Sequence, residues 1–150
     1  MCLASPDFAW TDLLPTVVAG ILAASQWYWN AKIKERDARI DLSKRLENIL
    51  RITIAYPELE HKSITEQWNA NKDSMDENFM RYDQFCNILF NFLEEVYTHF
   101  KGDKKSIENF VDIKTWVRIH RQIWNNPLDP NENVDGYSKE FRDFIDSYVH

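Results

Sequence analysis

The chain has 150 residues, room for one folded domain and an appendage. Its 18 basic against 24 acidic side chains argue against nucleic acid as a partner, since such a binder needs a basic face to displace phosphate counterions. Three glycines and five prolines argue against long loops or a many-stranded sheet, whereas nine Phe, six Tyr and six Trp suit the core of a helical domain.

Residues 13–31, LLPTVVAGILAASQWYWNA, carry no formal charge. As a helix they extend about 28 Å, close to the hydrocarbon thickness of a bilayer. Phe8 and Trp10 border one end and Trp27, Tyr28 and Trp29 the other, where amphipathic rings prefer the headgroup level. Lys32, Lys34, Arg36 and Arg39 come next, while the preceding side offers only Asp7 and Asp12. The expectation is a single-pass helix in an inner (cell) membrane. Residues 1–12 form a short extracytoplasmic N-terminus and residues 32–150 a cytosolic helical domain. Pro15 fits the first turn, and Gly20 with Ala24 has the small-xxx-small spacing that lets membrane helices approach. A cleaved signal peptide would carry its basic residues before the apolar run, not after it. A buried soluble helix is the competing reading, because Thr16, Ser25, Gln26 and Asn30 dilute the segment.

Past the span, residues 32–41 read as a solvated continuation of the same helix. A core stripe then starts at Ala38, Leu42, Leu46, Ile49, Leu50 and Thr53 and stops at Tyr56-Pro57. A short helix is expected around residues 64–69 with Trp68 as its anchor. A long central helix comes next, over residues 76–100, with Phe79, Tyr82, Cys86, Leu89, Leu93, Val96, Tyr97 and Phe100 in a 3-4 rhythm and Phe85, Ile88 and Phe92 widening the face. Gly102 closes it. Residues 106–125 form the next helix, kinked near Asp112, with Ile113, Trp116, Val117, His120, Ile123 and Trp124 on one side. Asn125-Asn126-Pro127 stops it, residues 128–136 are a loop, and Ser138 caps a last helix with Phe141, Phe144, Ile145, Tyr148 and Val149 inward. The fold class is all-α: a transmembrane helix running into a four- to five-helix bundle.

Chemistry-bearing motifs are few. Cys2 and Cys86 do not make a disulfide framework, and neither CxxC nor a zinc-binding histidine pair is present. Three isolated glycines cannot build a phosphate loop. No Arg–His pair has the four-to-six-residue spacing of HEPN-type ribonucleases, the nearest being Arg142 and His150. Glu94 and Glu95 point about 100° apart on a helix and cannot clamp one substrate. His120 falls between Trp116 and Trp124 on the apolar stripe, the place of a core histidine. Beside it Lys114, Arg118 and Arg121 form a basic row, so Lys114, Arg118, His120 and Arg121 make up the candidate face for a small anionic ligand or an acidic partner. No cofactor, metal site or catalytic centre is expected.

Tyr56-Pro57-Glu58-Leu59, Trp68, Leu93-Glu94-Glu95-Val96-Tyr97, Trp116, Trp124-Asn125-Asn126-Pro127 and Phe141-Arg142-Asp143-Phe144-Ile145-Asp146, behind one N-terminal span, resemble small bacterial membrane-anchored helical proteins of unknown function. The resemblance implies a bacterial membrane setting and carries no catalytic residues. The functional expectation is a membrane-tethered interaction or sensor module, not an enzyme, that self-associates as a homo-oligomer or docks a protein partner. The alternative is an oligomeric defence or toxin-like effector, an antiviral device among them, whose spans open a pore when the cytosolic domain binds a ligand. Thr16, Ser25, Gln26 and Asn30 would line such a pore, but they are expected on differing helix faces.

Overall fold

Every regular element of the structure is helical. The computed structural model describes residues 10–128 and 136–149, with side chains from residue 17 onward. These hold eight α-helices and one 3-10 turn, and no strand is found among the described residues. Phe8, Cys2, His150 and most of the expected loop at 128–136 lie outside them, as does the side chain of Trp10. The backbone gathers into two units, Met1–Ile40 and Asp41–His150.

The first unit contains most of helix α1, Trp10–Ala55. No glycine-proline pair or turn sequence interrupts the chain there, and Pro15, expected in the first turn, is instead the sixth residue of the helix, where its missing N–H removes one backbone bond. From residue 17 to residue 40 every side chain is exposed apart from the half-buried Ser25. No helix among the described residues is long and apolar enough to cross a membrane. The reason is local. Strongly apolar composition is confined to residues 13–24, about 18 Å of helix, after which Ser25, Gln26 and Asn30 alternate with indole and phenol rings.

The second unit is built around α4, Glu77–His99. Asp76 caps it, its side chain accepting from the Asn78 amide at 2.8 Å. Phe79, Tyr82, Phe85, Cys86, Leu89, Phe90, Phe92, Leu93 and Val96 are all buried, a face too broad for one neighbour to cover. The last turns of α1 cover part of it with Leu42, Ile49 and the half-buried Leu46 and Ile52. Arg45, ion-paired with Glu95 at 2.8 Å, sits at the rim of that contact. Aromatic rings fill much of the rest: Trp68 meets Tyr82 at 5.7 Å, and Trp124 meets Phe90 at 4.8 Å and Tyr137 at 5.9 Å. Helix α8, Lys139–Val149, closes the core with Phe141, Ile145 and Tyr148, and Ser138 accepts from the Phe141 amide.

Several expectations are corrected. Ala38 and Leu50 (44% exposed) do not belong to the core stripe of α1, and Ile88 (48% exposed) does not belong to that of α4, whose inner face runs through Phe90 instead. A flank of a wide stripe is covered only if a neighbour happens to reach it. The short helix at 64–69 is replaced by a 3-10 turn, Pro57–Glu60, and two single turns, α2 (Lys62–Thr65) and α3 (Trp68–Asn71). The helix at 106–125 is three pieces: α5 (Lys104–Phe110), α6 (Ile113–Ile119) and α7 (Arg121–Asn125). Val111 is fully extended (φ −145°, ψ 145°), and Asp112 restarts the helix by accepting from the Thr115 amide at 3.2 Å. These breaks give more helices than the four or five expected.

Gly102 ends α4 in left-handed conformation (φ 73°), with its amide donating to the Tyr97 carbonyl at 2.9 Å. A Cβ there would stand 3.1 Å from the Tyr97 ring. Gly102→Ala is expected to lower stability by roughly 1–2 kcal/mol through strain at positive φ, read as a lower urea midpoint in tryptophan fluorescence.

Candidate functional site

The joint between α6 and α7 decides where the basic residues point. Helix α6 turns Ile113, Trp116 and Val117 into the core, and α7 does the same with Ile123 and Trp124. His120, the residue between them, leaves helical geometry (φ −97°, ψ 14°) and is itself fully buried. With 116, 117, 120, 123 and 124 inward, Arg118 and Arg121 must face out, and both are exposed.

They open onto a cleft of about 410 Å³. Thr115, Ile119 and Gln122 complete the α6–α7 wall. The opposite wall, from the 3-10 turn and α2, brings Glu60, Lys62, Thr65 and Glu66. The cleft thus holds three cations and two carboxylates. Among the described residues Lys62, Arg118 and Arg121 form no ion pair, whereas Arg45, Arg51, Arg81 and Lys139 each hold a carboxylate. Guanidinium groups offer paired N–H donors that fit a carboxylate or phosphate. The arrangement can hold an anionic group. It contains no nucleophile paired with a base.

Of the four residues expected to share a face, the structure brings together only Arg118 and Arg121. Lys114 pairs with Glu108 at 3.3 Å, away from the cleft, and Glu108 also accepts from the Tyr148 hydroxyl at 3.0 Å. His120 lies behind the cleft, in the core. Lys62, Glu60 and Glu66 escaped sequence reasoning, because no local spacing links them to residues more than fifty positions on.

His120 Nδ1 is 3.0 Å from the Tyr82 hydroxyl and 3.7 Å from Cys86 Sγ, and its ring packs on Tyr82 and Phe85 at 5.6 and 5.5 Å. Its Nε2 is buried with no hydrogen-bond partner among the described residues. Burial pushes its pKa down to about 3 and raises those of the Cys86 thiol and the Tyr82 hydroxyl. At neutral pH the ring is uncharged and sealed from solvent, which suits a packing role and not proton transfer. Among the described residues no three His, Cys, Asp or Glu side chains gather as a metal site requires.

In the first unit Trp27 (76% exposed), Tyr28, Trp29, Lys32, Lys34 and Arg36 are all exposed. The Lys32 ammonium lies 5.3 Å from the Tyr28 ring, and Arg36 pairs with Asp37 at 3.4 Å. Gly20 and Ala24 are exposed as well, and a Cβ built on Gly20 would meet nothing within 4 Å. No family model, curated protein or solved structure matches the chain.

Two outcomes are expected. Arg118→Ala and Arg121→Ala leave stability within about 0.5 kcal/mol of the parent, as for surface positions without partners, checked by thermal melting. The His120 ring proton signals show no titration between pH 5 and 8 by NMR. Because His120 titrates near 3 when folded and near 6.5 when unfolded, its contribution to stability is complete above pH 6.5 and is lost as pH falls toward 3.

Proposed function

We propose that the protein is a membrane-tethered helical interaction module without catalytic activity. The N-terminal part of α1 sits in a bilayer and residues 41–150 face the cytosol. The observation that carries this reading is the uncovered apolar surface of the first unit, where Val17, Val18, Ile21, Leu22, Trp27, Tyr28 and Trp29 all stand exposed. Large apolar patches of this kind mark contact with a membrane or a partner. The order along the chain favours the bilayer: an apolar stretch, then three amphipathic rings, then Lys32, Lys34, Arg36 and Arg39. The same basic cluster supports the cytosolic placement of the second unit. An apolar length of about 18 Å is short, and short segments are accommodated by bilayer thinning, by flanking side chains reaching for the headgroups, or by association of copies. Lys32, lying along the Tyr28 ring, is positioned for the second of these. The cleft at Arg118 and Arg121 supplies the second unit with a place to dock an anionic group.

The full chain is expected to pellet with membranes through an alkaline carbonate wash and to leave them only with detergent. Leu22→Arg, which adds roughly 2.5–3.5 kcal/mol of insertion penalty, should shift it to the soluble fraction. Parent protein in the supernatant of a detergent-free lysate after ultracentrifugation would overturn the tether.

A further inference from the structure

The two side-chain amides of residues 17–30 lie on one side of α1. At about 100° per residue, Ala19, Ala23, Gln26 and Asn30 follow steps of four, three and four and share one side of the helix. Val17, Ile21 and Tyr28 occupy the opposite side, and Val18, Leu22 and Trp29 one flank. Two hydroxyls of residues 17–30 fall within the apolar half: that of Tyr28, in the ring border, and that of Ser25, whose Oγ is already spent, donating to the Leu22 carbonyl at 2.8 Å. Gln26 and Asn30 are exposed, and among the described residues neither amide has a hydrogen-bond partner.

In water these amides would be satisfied by solvent. In a bilayer they have no such recourse, and polar groups there turn toward another helix. The chemistry of the amide decides which helix that is. Each carries a donor and an acceptor, so the same face on a second copy meets every need of the first. Copies inserted with one orientation lie parallel, which sets Gln26 beside Gln26 and Asn30 beside Asn30. Ala19 and Ala23, on the same side, leave the backbones free to come close enough for those bonds.

We infer that α1 pairs in parallel with a second copy of this chain through the face bearing Gln26 and Asn30, whose side-chain amides hydrogen-bond across the pair. The inference rests on the membrane tether proposed above. It also accounts for the shortfall in apolarity: the amides that make a lone helix too polar to cross a bilayer are hidden once two helices share them. Asn30, beside the Trp27–Trp29 border, is within reach of interfacial water, so Gln26, one turn deeper, carries the larger share.

Single cysteines placed along residues 17–30 of the full chain in a Cys2→Ser background, Cys86 being fully buried, and oxidised in native membranes test this directly. Expected is an adduct of twice the chain mass from positions 19, 23, 26 and 30 and none from 17, 21 and 28. Gln26→Leu should raise the dimer dissociation constant in mild detergent roughly three- to thirtyfold, the range measured for side-chain hydrogen bonds between membrane helices. Asn30→Leu should raise it less, and neither change should alter the amount of protein in the membrane pellet. Adducts centred on 17, 21 and 28 or on Gly20 and Ala24, adducts from every position alike, or an adduct of another mass would each overturn the pairing while leaving the tether standing. Protein absent from the membrane pellet before oxidation would overturn both.

Discussion

The contact between the Tyr82 hydroxyl and His120, 3.0 Å apart and wholly buried, fastens the middle of α4 to the joint between α6 and α7. One such bond adds only about 0.5–1.5 kcal/mol net, but losing either partner strands a buried polar group at a further penalty of roughly 1–3 kcal/mol. Its position matters more than its strength. Trp68 lies on one side of the Tyr82 ring and Phe85 against the imidazole, so the contact sits at the centre of the aromatic packing. With His120 drawn inward, the residues on either side turn outward. That is what delivers Arg118 and Arg121 to the cleft, and a shift of the joint by one residue would bury a guanidinium instead.

The two units treat polar groups in opposite ways. In the second, large amphipathic side chains enter the core with a partner in hand. The Trp68 indole donates to the Asn126 carbonyl at 2.8 Å, the Trp124 indole to Asp146 at 2.8 Å, and the Tyr137 hydroxyl to Asn91 at 2.9 Å. In the first, Gln26 and Asn30 are left exposed with their hydrogen-bonding capacity unspent.

Much of the fold was legible from periodicity and punctuation. The all-helical class, the extent of α4 and the stops at Tyr56-Pro57 and Asn126-Pro127 come from rules that act within a few residues. The kink expected near Asp112 is a full break at Val111, whereas the break at His120 did not show, because Trp116, His120, Ile123 and Trp124 keep a 3-4 rhythm straight through it; a small change of backbone angle does not erase the pattern. Leu50 and Ile88 were misplaced for a different reason. Periodicity marks the apolar side of a helix but not where its neighbours stop. The cleft was half legible: Arg118 and Arg121 are visible as a spacing on one helix, while Lys62, Glu60 and Glu66 join them only through tertiary packing.

The clasp of α8 has a bearing on how the chain comes into being. Phe141, Ile145 and Tyr148 fill the core, and Asp146 and Tyr148 bond to Trp124 and Glu108. Translation delivers those residues long after the uncovered apolar helix has left the ribosome. The exposed apolar side chains of α1 therefore emerge while the core of the second unit is still open.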